Sequence, residues 1–397
     1  MNDLKFAFRQ LLKNPGFTAV AVLTLALGRC AGIAAEANKR PQPVISNQHP
    51  VGANVERLLR EKLPPLLSQH HVPGAAVAVI RDGELVTSIV VGEREVGKPA
   101  NQNTLFNVAS LTKPVFAHAV LALVDRGQFT LDEPLSRYWI DPDIKGDARH
   151  QSLTARLVLT HRTGFPNWRN KTNLQFRFNP GEGIRYSGEG YEYLRRAIEA
   201  KLARPMAEIV SNEVFRPFGM TNTHFVWEPK FEETFAQEHD KQGRRLTVRR
   251  QFKACAADDL LTTINDYGRF VAAVSRGANL SPSLFREVSS SQIPSSILAA
   301  AERPSDFGLC WELLRTDRAT ALVHSGGDPG VCALALIVPE SKIGVVAVTN
   351  GDDGWPVIEA VVSLVLPFGD EYLAAARAKR ERKVNHVEPP TRDAPAK

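Results

Sequence analysis

The β-rich runs of this 397-residue chain lie toward its two ends, and a long strand-poor block separates them. Residues 74–81 and 84–92 flank Asp82-Gly83, a strong signal for a hairpin. Strand-like runs return only at 307–313, 320–324, 331–338 and 344–349. Buried strands need partners for their backbone N–H and C=O groups. The economical solution is one sheet completed by both chain ends, with the intervening block inserted. Helical patterns fall at 55–67, 115–124, 155–160, 191–202, 258–274 and 357–366. The expected fold class is therefore α+β, an α/β sandwich: a mostly antiparallel sheet flanked by helices, with a mainly helical domain inserted over roughly 120–245. Expected boundaries are a leader at 1–40, the folded domain at 41–370 and a charged tail at 371–397, disordered beyond 383.

Charge narrows the function classes. The chain carries a net +6, yet residues 1–40 hold six Lys/Arg against two acids, and residues 376–397 hold seven against three. The body between them is slightly acidic, which argues against a nucleic-acid footprint. Four cysteines stand at 30, 255, 310 and 332 without a C-x-x-C pair, and no His-Glu-x-x-His occurs, so neither a zinc site nor a disulfide framework is supported. Cys310 and Cys332, inside apolar strand-like runs, read as buried free thiols, with pairing between neighbouring strands the alternative. No metal or organic cofactor is implied.

Three short stretches carry chemistry. In Ser110-Leu-Thr-Lys113 the serine and lysine are three apart at a helix start, on one face. A serine hydroxyl needs a partner to take its proton, and an amine one turn away supplies one. The helix start also favours a developing oxyanion near the Ser110 N–H. Tyr186 lies in a glycine-rich turn, Pro180-Gly-Glu-Gly-Ile-Arg-Tyr186-Ser-Gly188-Glu-Gly-Tyr191, ahead of a helix. His324-Ser325-Gly326-Gly327 ends a strand-like run. Taken singly, each has a structural reading: a capped surface helix, a phenol anchoring a turn, a hairpin bend. His161 reads as a structural hydrogen-bonding residue.

Together and in this order, the three stretches resemble the penicillin-recognising serine hydrolases, more narrowly the class C β-lactamase-like group of β-lactamases, D,D-peptidases, D-aminopeptidases and carboxylesterases. The likeness covers about residues 50–366 and includes Leu159-Thr-His161-Arg-Thr-Gly-Phe-Pro166 and Phe218-Gly-Met-Thr-Asn-Thr223. It implies that Ser110 is the acylated nucleophile, Lys113 its proton acceptor or relay, and Tyr186 the phenol that shares base duty and protonates the leaving group. It implies that His324, Ser325 and Gly326 stand for Lys-Thr-Gly, and that the N–H groups of Gly327 and Ser110 form the oxyanion hole.

Two positions depart from the family pattern. Gly188 stands where an asparagine would hydrogen-bond an acyl amide, and His324 stands where a lysine would pair with a carboxylate. Both turn the expectation toward a carboxylesterase on short-chain or aryl esters. A β-lactamase or D-amino-acid peptidase or amidase is the alternative within the family. A penicillin-type sensor or binding module that stays acylated is the alternative from another class. An α/β-hydrolase is disfavoured, since no Gly-x-Ser-x-Gly occurs. The expected partner is a small-molecule ester or amide.

The leader has a basic start (Lys5, Arg9, Lys13) and a twelve-residue uncharged run at 17–28, too short to span a bilayer. It reads as a signal-like or anchor-like segment, giving a periplasmic or secreted protein with possible membrane association. If the leader is not a working signal, the protein is cytoplasmic. Residues 3–28 also resemble the start of macrolide-exporter-type ABC permeases, a likeness that stops at Arg29.

Overall fold

The computed structural model describes residues 53–384 apart from 170–172, 248–249 and 301–305, and excludes the side chains of 53 and 379–384. The leader at 1–40 and the end of the tail lie outside the described residues.

Helix α1 (Ala53–Gln69) precedes the hairpin β1 (Gly74–Arg81) and β2 (Glu84–Glu95), which the two-residue strand β3 (Lys98–Pro99) follows. Strands β7 (Glu312–Arg315), β8 (Thr320–Asp328), β9 (Val331–Val338) and β10 (Ile343–Thr349) come from the other end of the chain. The sheet order is β3-β2-β1-β10-β9-β8-β7, with every pairing antiparallel. The two chain ends meet at β1 and β10, where Val77 stands opposite Ala347. All eight residues of β1 are buried, because both sheet faces are covered.

On one face Ala75, Val77 and Val79 pack in one cluster with Val55, Leu59, Leu63 and Leu67 of α1. That i, i+4 stripe carries the helix through Pro64 and Pro65, each of which removes a backbone donor. The same cluster takes Val357, Ile358, Val361 and Val365 from α6 (Trp355–Val365). On the other face Ala76, Ala78 and Ile80 join Phe116 and Val120 of α2 (Thr112–Asp125), and Tyr267 and Phe270 of α5 (Ile264–Ser275). The inserted block adds two helices used below, α3 (Ala155–Leu159) and α4 (Gly188–Leu202). A small second sheet, order β4-β6-β5, joins β4 (Phe106–Asn107), β5 (Thr223–His224) and β6 (Leu261–Thr262). Fold class and strand placement thus follow the sequence reading.

Three details differ. The helix expected from 258 starts at Ile264, because Thr263 accepts the Asp266 N–H and caps it there, and 261–262 pair as β6 instead. The strand expected over 307–313 reaches only Glu312–Arg315, since Cys310 takes φ +76°, outside extended geometry. Cys310 is therefore not a strand residue, although it is a buried free thiol, as is Cys332. The folded part also runs past 370: helix α7 (Gly369–Val384) buries Tyr372 against the cluster under α1.

Candidate active site

Ser110 sits in a single 3₁₀ turn, Ala109–Leu111, that feeds directly into α2. Ala109 holds φ +46°, costly for a residue with a Cβ, and its neighbours over-determine it. Asn107 Oδ1 accepts the Ala109 N–H at 2.8 Å, and Thr112 Oγ1 donates to the Ala109 carbonyl at 2.6 Å. Tyr267 Oη donates to the Leu111 carbonyl at 2.8 Å, tying the turn to α5. The result is a fixed serine at the head of a helix that is buried from Thr112 to Leu121.

Lys113, one turn on, is completely buried. Its Nζ donates to Ser110 Oγ at 2.9 Å and to the Ala257 carbonyl at 2.7 Å. The same nitrogen lies 4.8 Å from the centre of the Tyr186 ring. The spacing read from Ser-x-x-Lys is thus a real hydrogen bond, and Tyr186 joins it from 76 residues away. Tyr186 is 37% exposed, so its ring reaches solvent while its base packs on His161, ring centres 4.3 Å apart.

Strand β8 supplies the facing wall. Strand β7 pairs with it only over 320–323, so from His324 to Asp328 the edge opposite β9 has no strand partner among the described residues. Gly326 lets that edge close on the serine. A Cβ at Gly326 would stand 2.3 Å from the Val108 carbonyl oxygen and 3.3 Å from the Ser110 nitrogen. Alternation along the strand buries His324 and Gly326 and exposes Ser325 and Gly327. Ser110, Lys113 and Tyr186 thus meet at one lysine, and Gly326 brings the 325–327 edge of β8 against the Ser110 turn.

The two histidines are neutral parts of the wall. Burial, reinforced by the Lys113 charge, pushes His324 down to about 3, and burial with the same charge holds His161 well below its ordinary value. His324 Nδ1 lies 2.9 Å from the Ser325 carbonyl, so it carries the ring proton and leaves Nε2 an acceptor. His161 Nδ1 accepts the Ser187 N–H at 3.1 Å, which puts its proton on Nε2. Both Nε2 atoms are buried without a partner.

Gly188 is the member that differs from expectation. It is buried, its N–H goes to Asn167 Oδ1 at 3.0 Å, and a Cβ there would meet the Trp168 ring at 2.8 Å. Trp168 thus covers the place where an asparagine side chain would stand. Glu189 does not compensate, since its carboxylate pairs with Arg169. Ser187 clamps this corner by donating to the Pro166 carbonyl at 2.7 Å and accepting the Gly190 N–H at 3.0 Å. Ser187→Ala is expected to cost about 1–2 kcal/mol of unfolding free energy, read from the urea midpoint.

Sequence reasoning missed the carboxylates around Lys113. Asp258 follows the carbonyl that Lys113 binds, Asp328 follows Gly327, and the two carboxyl groups hydrogen-bond each other. Burial first, then the charges of Asp258 and Asp259, raise Asp328 to about 8; burial and Asp258 raise Asp259 to about 7. Asp258-Asp259 had no visible signal, because adjacent acids before an apolar run read as the first turn of a helix. Among the described residues no group of His, Cys, Asp and Glu is arranged to hold a metal ion.

With this geometry in hand, comparison with known proteins places the chain. The family model for Beta-lactamase matches residues 55–360. Esterase EstB of Burkholderia gladioli is 31% identical over 219 residues, which cover 46% of this chain and 54% of that protein, so the match spans about half of that relative's length. The D-alanine carboxypeptidase AmpC of Burkholderia cenocepacia superposes with a TM-score of 0.63 at 19% identity, covering 84% of this chain and 99% of that one. A class C beta-lactamase gives a TM-score of 0.64 at 17% identity, covering 84% and 97%. These two structural likenesses speak to the fold, while the family model speaks to descent across most of the chain. This chain belongs to the Beta-lactamase family.

Proposed function

We propose that this protein is a serine hydrolase that works through an acyl-enzyme at Ser110, acting as a carboxylesterase on short-chain or aryl esters. The observation that carries the reading is the 2.9 Å contact between Lys113 Nζ and Ser110 Oγ, with Tyr186 over the same nitrogen. In the first step Ser110 Oγ attacks the ester carbonyl carbon while its proton passes to the Lys113–Tyr186 pair. The carbonyl oxygen becomes an oxyanion facing the N–H groups of Ser110 and Gly327, each worth roughly 3 kcal/mol to the transition state. The C–O bond to the alcohol breaks, and the alcohol leaves with the proton held by the pair. Water then attacks the acyl-serine, gives its proton back through the same groups, and releases the carboxylic acid.

The choice of ester over amide rests on two departures. Trp168 covers Gly188, so no side chain there can bind an acyl amide. His324 is neutral, so it offers no charge to a carboxylate at that point of the site. That EstB bears the name esterase supports the same choice. The leader's basic start and apolar run support export to the periplasm or beyond, which cell fractionation checks.

The test is 4-nitrophenyl butyrate turnover by the full chain beside Ser110→Ala. Turnover in the parent that falls to background in the variant is expected. Equal rates would remove Ser110 as nucleophile, and no turnover in either would remove the ester reading.

A further inference from the structure

Beside Arg185, the residue before the proposed catalytic tyrosine, lies an open cleft of about 250 Å³. Its walls include Trp168, Asn173, Gln175, Arg177 and Arg185. That is less than a whole drug-sized ligand fills, and it is room for one end of a substrate. Its place is set by the chain: Arg185 immediately precedes Tyr186, and the Trp168 ring lies over Gly188, two residues beyond. The cleft is thus joined to the Tyr186 turn at two points, Arg185 and Trp168.

The arginines differ in what they have to do. Arg169, also on the wall, is spent: Asp141, Asp143 and Glu189 all pair with it. Arg177 and Arg185 have no acidic partner among the described residues, yet their backbones are pinned. The Arg177 N–H donates to the Gly164 carbonyl at 2.7 Å, and the Arg185 N–H to the His161 carbonyl at 2.8 Å. Two guanidinium groups rising from fixed backbone, beside amide side chains and one aromatic face, suit a planar oxyanion. Each guanidinium offers paired donors to such a group, and Asn173 and Gln175 add neutral ones.

We infer that the cavity bounded by Trp168, Arg177 and Arg185 binds an anionic group on the substrate, a carboxylate carried at the far end of the acyl chain. The inference rests on the acyl-transfer reading for its substrate, a monoester of a dicarboxylic acid. It moves charge recognition from His324, which cannot supply it, to the cleft beside the Tyr186 turn. The Trp168 face then takes the methylene stem between the ester and the carboxylate.

The experiment compares binding of mono-4-nitrophenyl glutarate and of neutral 4-nitrophenyl butyrate, by calorimetric titration of full-length Ser110→Ala. The same pair is measured on Ser110→Ala carrying Arg177→Ala and Arg185→Ala. The glutarate ester is expected to bind the parent more tightly than the butyrate ester, with the preference reduced about tenfold or more by the two arginine changes. Added salt is expected to weaken that preference in the parent and to matter less in the variant. Arg177→Lys with Arg185→Lys, which keeps the charge and loses the fork, is expected to retain part of it. A parent that binds both esters alike, or a preference that survives the alanine changes, overturns the inference. Because binding is read without the nucleophile, turnover by the unmodified chain reports separately. A carboxylate preference without turnover keeps the anion site and discards the esterase reading.

Discussion

Replacing Lys113 with methionine is expected to lower turnover of 4-nitrophenyl butyrate by roughly 10²–10⁴-fold, with Tyr186→Phe falling in the same range. Methionine keeps most of the buried volume, so the loss reads chemistry and not a collapsed core. What disappears is the Nζ–H donor 2.9 Å from Ser110 Oγ, together with the charge beneath the Tyr186 ring. Tyr186→Phe keeps the ring packed on His161 and removes only the hydroxyl. If the two side chains share one proton, the double variant loses little more than either alone, as groups acting as a unit do. A structural role predicts another result: near-parent rates with a lowered urea midpoint. A second readout is independent of rate. The Lys113 charge helps hold His161 and His324 in the neutral form, so both rings are expected to protonate at higher pH in Lys113→Met, though burial still keeps them below an ordinary histidine. Histidine NMR titration measures the shift. Unmoved rings would mean that the lysine carries no charge beside them.

How far the sequence led depends on the range over which each signal acts. The hairpin at Asp82-Gly83, the i, i+4 stripe of α1 and the apolar runs of β9 and β10 are local patterns, and the structure follows them closely. That both chain ends complete one sheet was also accessible, because unpaired strands at both ends leave few ways to satisfy their backbone. Ser110 and Lys113 were legible for the same reason, being one helical turn apart. Tyr186 and His324 needed the family resemblance, since nothing local brings residues 76 and 138 positions apart in sequence to one lysine. Trp168 was not legible at all. Its ring fills the space above Gly188 because Asn167 caps the Gly188 and Glu189 N–H groups and pulls the loop down, a tertiary arrangement without periodicity. Asp328 was hidden differently. It reads as the end of a strand before a Pro-Gly turn, and only the fold sets it against Asp258 across the cleft floor.

That hidden pair gives the second large effect. Asp328→Asn is expected to raise the melting temperature by roughly 3–6 °C at pH 9 and to leave it nearly unchanged at pH 4. The sign follows from proton linkage. In the unfolded chain Asp328 ionises near the ordinary value of about 4, whereas in the folded protein burial and the neighbouring Asp258 and Asp259 hold its proton up to about 8. Below pH 4 both states keep the proton and the residue is neutral to stability. As pH climbs from 4 to 8, the unfolded state releases the proton while the folded state retains it, so stability drains away across that window and stays lost above it. Asparagine has no proton to release, and its amide can donate to the Asp258 carboxylate in place of the shared proton. The groups facing the pair are Asp259 and Lys113; the lysine charge opposes the shift, so the rise is what survives it. An equal gain at both pH values would instead assign the effect to local packing. Turnover carries the same signature, because a fully ionised pair beside Gly327 opposes the oxyanion that the Gly327 N–H would stabilise. The parent should therefore lose kcat/KM as pH passes about 8, and Asp328→Asn should push that loss to higher pH. Two carboxyl groups holding one proton at neutral pH keep the charge of the oxyanion wall low enough for acyl transfer.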